Sequence, residues 1–347
     1  MSGVSKAIVQ PLLSWYDAGH RDLPWRSEPA PYRVWVSEIM LQQTRVEAVR
    51  GYFSRWMNAL PDIPALAAAD EAVYTKLWEG LGYYSRVRNL HRAAVLLCEE
   101  YGGELPADYD RLLALPGVGE YTAGAVASIA FGLPVPAVDG NVLRVAARLD
   151  NDFTPITDAK FKKQTRERFA ALMPSDRPGD LNQSLMELGA TVCLPNGAPH
   201  CDDCPIQHLC EGFHRGNAAV LPLRAAKKAR RVENRTVLVV RCGHLVGLRQ
   251  RPKKGLLAGL WELPSLDGHL SPDELRAALT EMGWSVRKLL SLRPAKHIFT
   301  HVEWHMNGVY VELDAPAPAL TFVTPAELRD AYALPSAFRS FVSVLED

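Results

Sequence analysis

From Val4 to about Phe213 the apolar positions recur with a helical period. Trp35, Ile39, Val46 and Val49 form one stripe, and the runs Leu66–Leu81 and Asn89–Glu100 repeat the pattern. Pro and Gly punctuate it at Pro61, Pro64, Gly80, Gly82, Gly102, Gly103, Pro116 and Gly117, which predicts short helices, tight turns and a compact all-α unit. Gly216 to Glu233 is different. It carries Arg224, Lys227, Lys228, Arg230 and Arg231 with little apolar periodicity, and reads as a basic linker suited to touching phosphate. After it, Thr236–Val240, Leu245–Leu248 and Val309–Leu313 read as strands and Pro272–Met282 as a helix, so the last third is expected to be a separate α+β domain. No internal repeat is present.

Composition narrows this only a little. A chain of 347 residues is about two domains long, and a hydrophobic content of 48% is enough for ordinary cores. No apolar run is long enough to span a membrane, and Met1 to His20 carries no signal-peptide pattern, so a cytoplasmic protein without membrane contact is expected. Lys+Arg and Asp+Glu are equal at 39 each, so net charge argues neither for nor against a nucleic-acid partner.

The cysteines say more. Cys98 and Cys242 stand alone beside apolar residues and read as buried structural thiols. Cys193, Cys201, Cys204 and Cys210 are grouped as C-x7-C-x2-C-x5-C, with Pro205 after the third. A disulfide framework does not suit a long chain with no signal peptide, and four clustered thiolates suit zinc or an iron–sulfur cluster. His200 and His208, nearby, are expected to face solvent.

Two further motifs carry candidate chemistry. Leu115-Pro116-Gly117-Val118-Gly119 joins one helical segment to another, Tyr121–Ala130, which is rich in Ala, Gly and Ser. Glycines at a helix N-terminus let backbone N–H groups approach a phosphate, although a plain glycine-capped turn reads equally well. Twenty residues after Gly119 comes Val138-Asp139-Gly140-Asn141-Val142, running into a helix over Leu143–Leu149. Asp139 there is an N-cap by position, and a reactive carboxylate only if its surroundings make it one. In Trp35–Thr44, read as a helix, Glu38 has Val34, Trp35 and Leu41 among its neighbours one turn away. A carboxyl desolvated there would hold its proton near neutrality, whereas one on an exposed helix edge would not.

LPGVG, a small-residue helix, VDGNV and a four-cysteine cluster, in that order, resemble the helix–hairpin–helix superfamily of base-excision DNA glycosylases. Leu23-Pro24-Trp25-Arg26, SEIMLQQT and Gly80-Leu81-Gly82-Tyr83-Tyr84-Ser85-Arg86 narrow the resemblance to the MutY adenine glycosylases. It implies a multidomain chain. An all-α glycosylase domain would occupy residues 1–215, with a six-helix barrel at about 25–133 and a [4Fe–4S] module from 1–24 plus 134–215. A linker at 216–233 and an α+β Nudix-like domain at 234–347 would follow. The family's first cysteine gap is six residues rather than seven, an insertion that the loop Leu194–His200 can absorb.

The resemblance also implies roles. Glu38 would protonate adenine N7, and Asp139 would stay ionised to stabilise the oxocarbenium-like sugar, directly or through a transient covalent adduct, with Tyr121 and Asn141 orienting the pair. Arg21, Leu23, Trp25, Arg26, Val46 and Gln183 would line the base pocket. Gln43, Thr44 and Tyr83 would fill the space opposite the lesion, and Gly117, Val118 and Gly119 would grip the DNA backbone. Either Tyr83 or its neighbour Tyr84 could instead be core. Lyase relatives such as endonuclease III carry a lysine where this chain has Tyr121, and a phenol cannot form a Schiff base, so monofunctional hydrolysis is expected.

Gln250-Arg251-Pro252 and Leu256–Pro264 resemble the family's Nudix-like domain, but Asp273–Glu281 lacks the carboxylate cluster that hydrolytic members use to bind magnesium. Recognition rather than hydrolysis is implied, with Phe299, Thr300 and His301 in place of the family's F-S-H loop at the oxidised guanine. His297, His301 and His305 alternate with apolar residues and offer a competing zinc reading. The function expected is excision of adenine opposite 8-oxoguanine or guanine in double-stranded DNA, by a monomer associated with the bacterial-type nucleoid. An endonuclease III-type glycosylase/lyase and a non-catalytic damage binder are the rival readings.

Overall fold

The computed structural model describes residues 5–224 and 229–345, so Lys227 and Lys228 of the basic segment lie outside the described residues. Among the described residues no helix is long and apolar enough to cross a membrane. The chain separates into two compact units, one of residues 5–68 and 88–224, the other of 69–87 and 229–345.

The first unit is helical. Its elements are α1 Val9–Gly19, α2 Pro31–Leu41, α3 Val46–Ala59 and α4 Ile63–Ala67; then, after α5 Glu71–Leu77 of the second unit, α6 Ser85–Tyr101, which begins in that unit. It continues with α7 Tyr109–Leu113, α8 Glu120–Phe131, α9 Gly140–Leu149, α10 Ala159–Ala170, α11 Pro178–Thr191 and α12 Glu211–His214. Leu12, Val145, Leu149, Leu185, Leu188 and Ile206 share one core, so α1, α9 and α11 pack around a common apolar seam. The small side chains from Thr122 to Ser128 are all buried, which lets α8 approach α2 and α11 closely.

The stripe expected to run unbroken from Trp35 to Val49 is divided between two helices. α2 ends at Leu41, because Gln42 leaves helical dihedrals and Gln43 takes a positive φ of 57°. Trp35 and Ile39 are buried on α2 and Val49 on α3. Leu66–Leu81, expected as one helical run, is likewise broken into α4 and α5, each with an Asp at its N-cap position.

The second unit is built on a mixed sheet. Its strands are β1 Arg231–Cys242, β2 Leu245–Gln250, β3 Trp261–Glu262, β4 Ser265–Asp267, β5 Val286–Ser291, β6 Ala295–Ile298, β7 Val302–Leu313 and β8 Thr321–Val323. The order is β3-β2-β1-β7-β5; β4 adds to β1, β6 to β7 and β8 to β2. β1 and β7 run parallel, with Arg231 opposite Val302 and Val240 opposite Val311. β1 therefore begins inside the segment read as linker. Period-two alternation splits the apolar residues between the two faces. Val237, Val239, Trp304 and Met306 meet Phe338 and Phe341 on one side, while Leu238, Val240 and Val311 meet Leu275, Leu279 and Trp284 on the other. The helices are α13 Pro272–Glu281, α14 Pro325–Ala331 and α15 Arg339–Val342. Residues 69–87 join this unit through Lys76, which donates to the Tyr332 carbonyl, and Glu79, which accepts from Leu334 N–H.

Cys98 and Cys242, expected to be buried, are only half-buried. Cys242 lies at the margin of the core that holds Leu238 and Val240, where the end of β1 leaves its side chain partly open.

Candidate active site

One cavity of about 530 Å³ in the helical unit is lined by Arg21, Leu23, Trp25, Arg26, Glu38, Gln43, Thr44, Val46, Tyr121, Asp139, Asn141 and Gln183. Residues drawn from five separate stretches of sequence thus face one space. Gly117, Val118 and Gly119 lie at the start of α8 and do not line it, and Tyr83, Phe299, Thr300 and His301 belong to the other unit. Gly117 has a φ of +77°, and a Cβ there would stand 2.6 Å from Cβ of Asn89, so the hairpin backbone requires glycine at that point.

Glu38 sits on the buried face of α2 and is 5% exposed. Burial raises its pKa to about 7. The Tyr121 hydrogen bond and the charge of Arg26 pull it down, and the charge of Asp139 pushes it up. The Tyr121 hydroxyl donates to Oε2 of Glu38 over 2.5 Å and also lies 3.2 Å from Sδ of Met186. The phenol itself titrates well above its ordinary range, chiefly through burial, so it stays a donor at neutral pH.

Asp139 is both the helix cap and a cavity residue. Its Oδ1 accepts from the backbone N–H groups of Asn141 and Val142, at 2.9 Å each, and its Oδ2 accepts from the side-chain amide of Asn141 at 2.7 Å. Burial pushes its pKa up; these donors and the positive charge of Arg144 act against that rise. Arg144, itself buried, donates to Oδ1 of Asn141 and to the carbonyls of Gly189 and Cys193. Gly189 has no room for a side chain, since a Cβ would lie 2.5 Å from Cβ of Asn141. Asn141 is therefore held from two sides.

Glu187, 2% exposed, anchors the side of the cavity lined by Arg21 and Arg26. Its Oε1 accepts from Arg21 Nε at 2.6 Å and its Oε2 from Arg26 Nη2 at 2.8 Å. Burial alone would raise its pKa; the two guanidinium groups overcome this and bring it down to about 2.

The four clustered cysteines carry no disulfide. All line one void with Val145, Leu149, Leu188, Val192 and Ile206, and Arg148 donates to Sγ of Cys193 at 3.1 Å. Among the described residues no group of three or more His, Cys, Asp or Glu side chains is found that could hold a metal ion. Four thiols around one void are a donor set that suits either an iron–sulfur cluster or zinc. Burial pushes the Cys204 thiol up to about 12 and raises Cys201 and Cys210 as well, so a cationic core would be needed to hold them as thiolates. His200 and His208 face solvent.

In the second unit, the Tyr83 hydroxyl and the Thr300 hydroxyl are hydrogen-bonded at 2.8 Å. Tyr83 is 46% exposed with a φ of +46°, while Tyr84 is buried. Phe299 rests edge-on against buried Trp304, with ring centroids 4.9 Å apart. The zinc reading of the histidines fails. His297 lies on β6 opposite Trp304 and His305 on β7 opposite Lys296, so the two project from opposite faces. His305 instead contacts Glu303 at 2.7 Å.

Residues 36–172 match the model of the HhH-GPD superfamily of base excision DNA repair proteins, and residues 236–344 match that of the NUDIX domain. The adenine DNA glycosylase of Mus musculus is 38% identical over 97% of this chain and 77% of its own length. The chain belongs to the MutY family of adenine DNA glycosylases. Its helical part is similar to a thermostable thymine-DNA glycosylase, with 27% identity, a TM-score of 0.54 and coverage of 60% of this chain and 96% of that one. A trapped endonuclease III–DNA covalent intermediate gives 25% identity, a TM-score of 0.51 and coverage of 61% and 98%. This MutY-family chain is thus an enzyme acting on N-glycosyl bonds in base excision repair, with a helical HhH-GPD domain followed by an α+β Nudix-like domain.

Met186 lines the cavity, and Glu187 and Arg144 hold residues that line it; the sequence motifs single out none of the three. A glutamate in the LMELG stretch of α11 gives no sign of its partners, which lie 161 and 166 residues away. Two arginines spaced i, i+4 on α9, Arg144 and Arg148, were a usable signal, because charged residues inside an apolar helix must find partners.

Proposed function

We propose that this chain hydrolyses the N-glycosidic bond of adenine opposite 8-oxoguanine or guanine in duplex DNA, as a monofunctional glycosylase. The observation that carries the reading is Glu38: a buried carboxyl, protonated near neutrality, facing the same cavity as a carboxylate that accepts three hydrogen bonds. Donors aimed at Asp139 favour its ionised form, whereas the burial of Glu38 favours its neutral one. The adenine nucleotide leaves the base stack to enter the cavity. Glu38 transfers its proton to N7, the C1′–N9 bond breaks with its electron pair leaving on adenine, and Asp139 stabilises the cation at C1′. Water then adds at C1′ and its proton passes to a carboxylate. No lysine is among the described residues lining the cavity, and Tyr121 is engaged with Glu38, which supports hydrolysis over Schiff-base chemistry.

Arg21 and Arg26, fixed by Glu187, with Leu23, Trp25, Val46 and Gln183, would form the adenine pocket, and Gln43, Thr44 and Tyr83 would fill the space left in the stack. The cysteines Cys193, Cys201, Cys204 and Cys210 would hold a [4Fe–4S] cluster, which would tie the loop Val192–Cys210 to α9 and α11. The Nudix-like domain would read the opposite base through Phe299, Thr300 and His301. Glu274 of α13 accepts from the Ser271 backbone and hydroxyl in a capping box, so its carboxylate serves the helix end rather than a magnesium site. The protein would act as a monomer, in the cytoplasm at the nucleoid.

Single-turnover cleavage of labelled duplexes containing adenine opposite 8-oxoguanine, guanine, cytosine or thymine, with and without a later alkaline step, tests the reading. Breaks that need alkali and form fastest opposite 8-oxoguanine are expected. Breaks without alkali would point to a lyase, and tight binding with no breaks to a damage binder.

A further inference from the structure

The loop that presents Tyr83 is backbone-strained. Gly80, Gly82 and Tyr83 all have positive φ, at 100°, 69° and 46°. Glycine takes such angles freely, but an aromatic residue persists there only where its surroundings over-determine it. The surroundings include two side chains of the same unit. Nη2 of Arg86 donates to the carbonyls of Leu81 at 2.9 Å and Gly82 at 3.1 Å. Its guanidinium lies over the Trp78 ring, 5.2 Å from the centroid, and near the Tyr83 ring at 5.6 Å. Trp78, fully buried, donates its indole N–H to the Gly82 carbonyl at 3.0 Å.

We propose that Arg86 is a positioning residue for the Tyr83 wedge: its guanidinium locks the left-handed loop and sets the ring in the orientation that enters the base stack. The proposal rests on the reading of Tyr83 as a wedge given above. The Tyr83 ring is nearly half exposed and its hydroxyl is bonded to Thr300, so the ring needs support on the loop side as well. A planar guanidinium can stack and donate at once, while an ammonium donates without stacking. Desolvation lowers the pKa of Arg86 to about 10, as suits a cation enclosed by rings and carbonyls.

The test is a double-mutant cycle on single-turnover excision of adenine opposite 8-oxoguanine, using Arg86→Lys, Tyr83→Ala and the pair together. About tenfold slowing is expected for Arg86→Lys and about thirtyfold for Tyr83→Ala, with the double variant no slower than Tyr83→Ala alone. Losses that multiply, to about three-hundredfold, would mean that Arg86 acts independently of Tyr83 and would overturn the proposal. Unchanged excision by Arg86→Lys would overturn it too. Wild-type excision by Tyr83→Ala would remove the wedge reading itself, and the proposal with it. As a second readout, 2-aminopurine placed beside 8-oxoguanine should brighten less on binding Arg86→Lys than on binding the parent; a merely structural role would leave that signal unchanged. Should Arg86→Lys not fold, Arg86→Gln keeps a planar donor and removes the cation, and its cycle with Tyr83→Ala is judged by the same outcomes.

Discussion

The hydroxyl of Tyr121 lies 2.5 Å from Oε2 of Glu38, and the two residues are 83 positions apart in sequence. This contact bears directly on the pH at which the candidate acid works. Burial raises the pKa of Glu38 to about 7 and the Tyr121 hydrogen bond lowers it. Glu38 is therefore protonated below that value, and single-turnover excision should be high at pH 6 and fall as pH rises through about 7. Tyr121→Phe removes a donor that favours the charged form, so the falling limb should move to higher pH while the plateau rate drops through lost orientation. Glu38→Gln should bind substrate duplex yet excise about 10²–10⁴-fold more slowly. A flat profile, or near-normal excision by Glu38→Gln, would remove Glu38 from the acid's role.

Asp139 combines a cap with chemistry, and one substitution separates the two. Asparagine caps helices about as well as aspartate, so Asp139→Asn should change stability by less than about 1 kcal/mol. Excision should nevertheless collapse, because a neutral amide cannot stabilise a cationic sugar. Thermal melting and single-turnover kinetics on the same preparation would check this. A large loss of stability with excision scaling in proportion would instead make Asp139 a cap only.

The sequence made some parts of this chain legible and hid others for identifiable reasons. The helix expected over Tyr121–Ala130 is found as Glu120–Phe131, since glycines at 119 and 132 bound a stretch rich in small residues and free of proline. The cavity residues were legible through motifs that keep Glu38, Tyr121, Asp139 and Asn141 together. The end of α2 was not, as neither Gly nor Pro marks Gln42 and Gln43, and the turn there is imposed by tertiary packing. β7 was read only over its last five residues, although burial alternates cleanly from Val302 to Gly308. In sequence the same alternation reads as a histidine face. Residues 69–87 look like any other helical stretch in sequence, and their grouping with the sheet depends on contacts such as Lys76 to Tyr332, 256 residues away.

Glu187 holds both Arg21 and Arg26, so its removal should be costly. Glu187→Gln leaves Arg21 and Arg26 without their buried counter-charge and should destabilise the fold by about 3–5 kcal/mol. The pH dependence has a definite sign. With a folded pKa near 2, below its ordinary 4.5, Glu187 contributes stability that is present above pH 4.5 and lost as pH falls toward 2. Urea unfolding between pH 6 and pH 3 should therefore show a smaller acid-induced loss in Glu187→Gln than in the parent. Equal losses in both would mean that the two arginines are held by other groups.

The cysteine site predicts a measurable cofactor. Protein purified without oxygen should contain about four irons per chain and show the brown visible absorbance expected for one [4Fe–4S] cluster. Cys204→Ser, at a half-buried thiol, should lose that absorbance together with much of the affinity for duplex DNA. Stoichiometric zinc with no visible absorbance would replace the cluster with a structural zinc.

Trp304 supports the Phe299-Thr300-His301 loop through its contact with Phe299. Its ring carries Phe299 at 4.9 Å, and the guanidinium of Arg235 lies over it at 4.5 Å. Its indole N–H donates to Glu233 at 2.9 Å. Trp304→Leu keeps an apolar filler but removes the flat platform and the donor, so Phe299-Thr300-His301 should lose its defined position. Excision opposite 8-oxoguanine should slow by about tenfold, whereas excision opposite guanine should change by less than about twofold, the discrimination at stake being ~1–2 kcal/mol. The two rates measured side by side on one preparation decide the point. Equal slowing on both duplexes would mean that the platform stabilises the domain without serving recognition of the oxidised base.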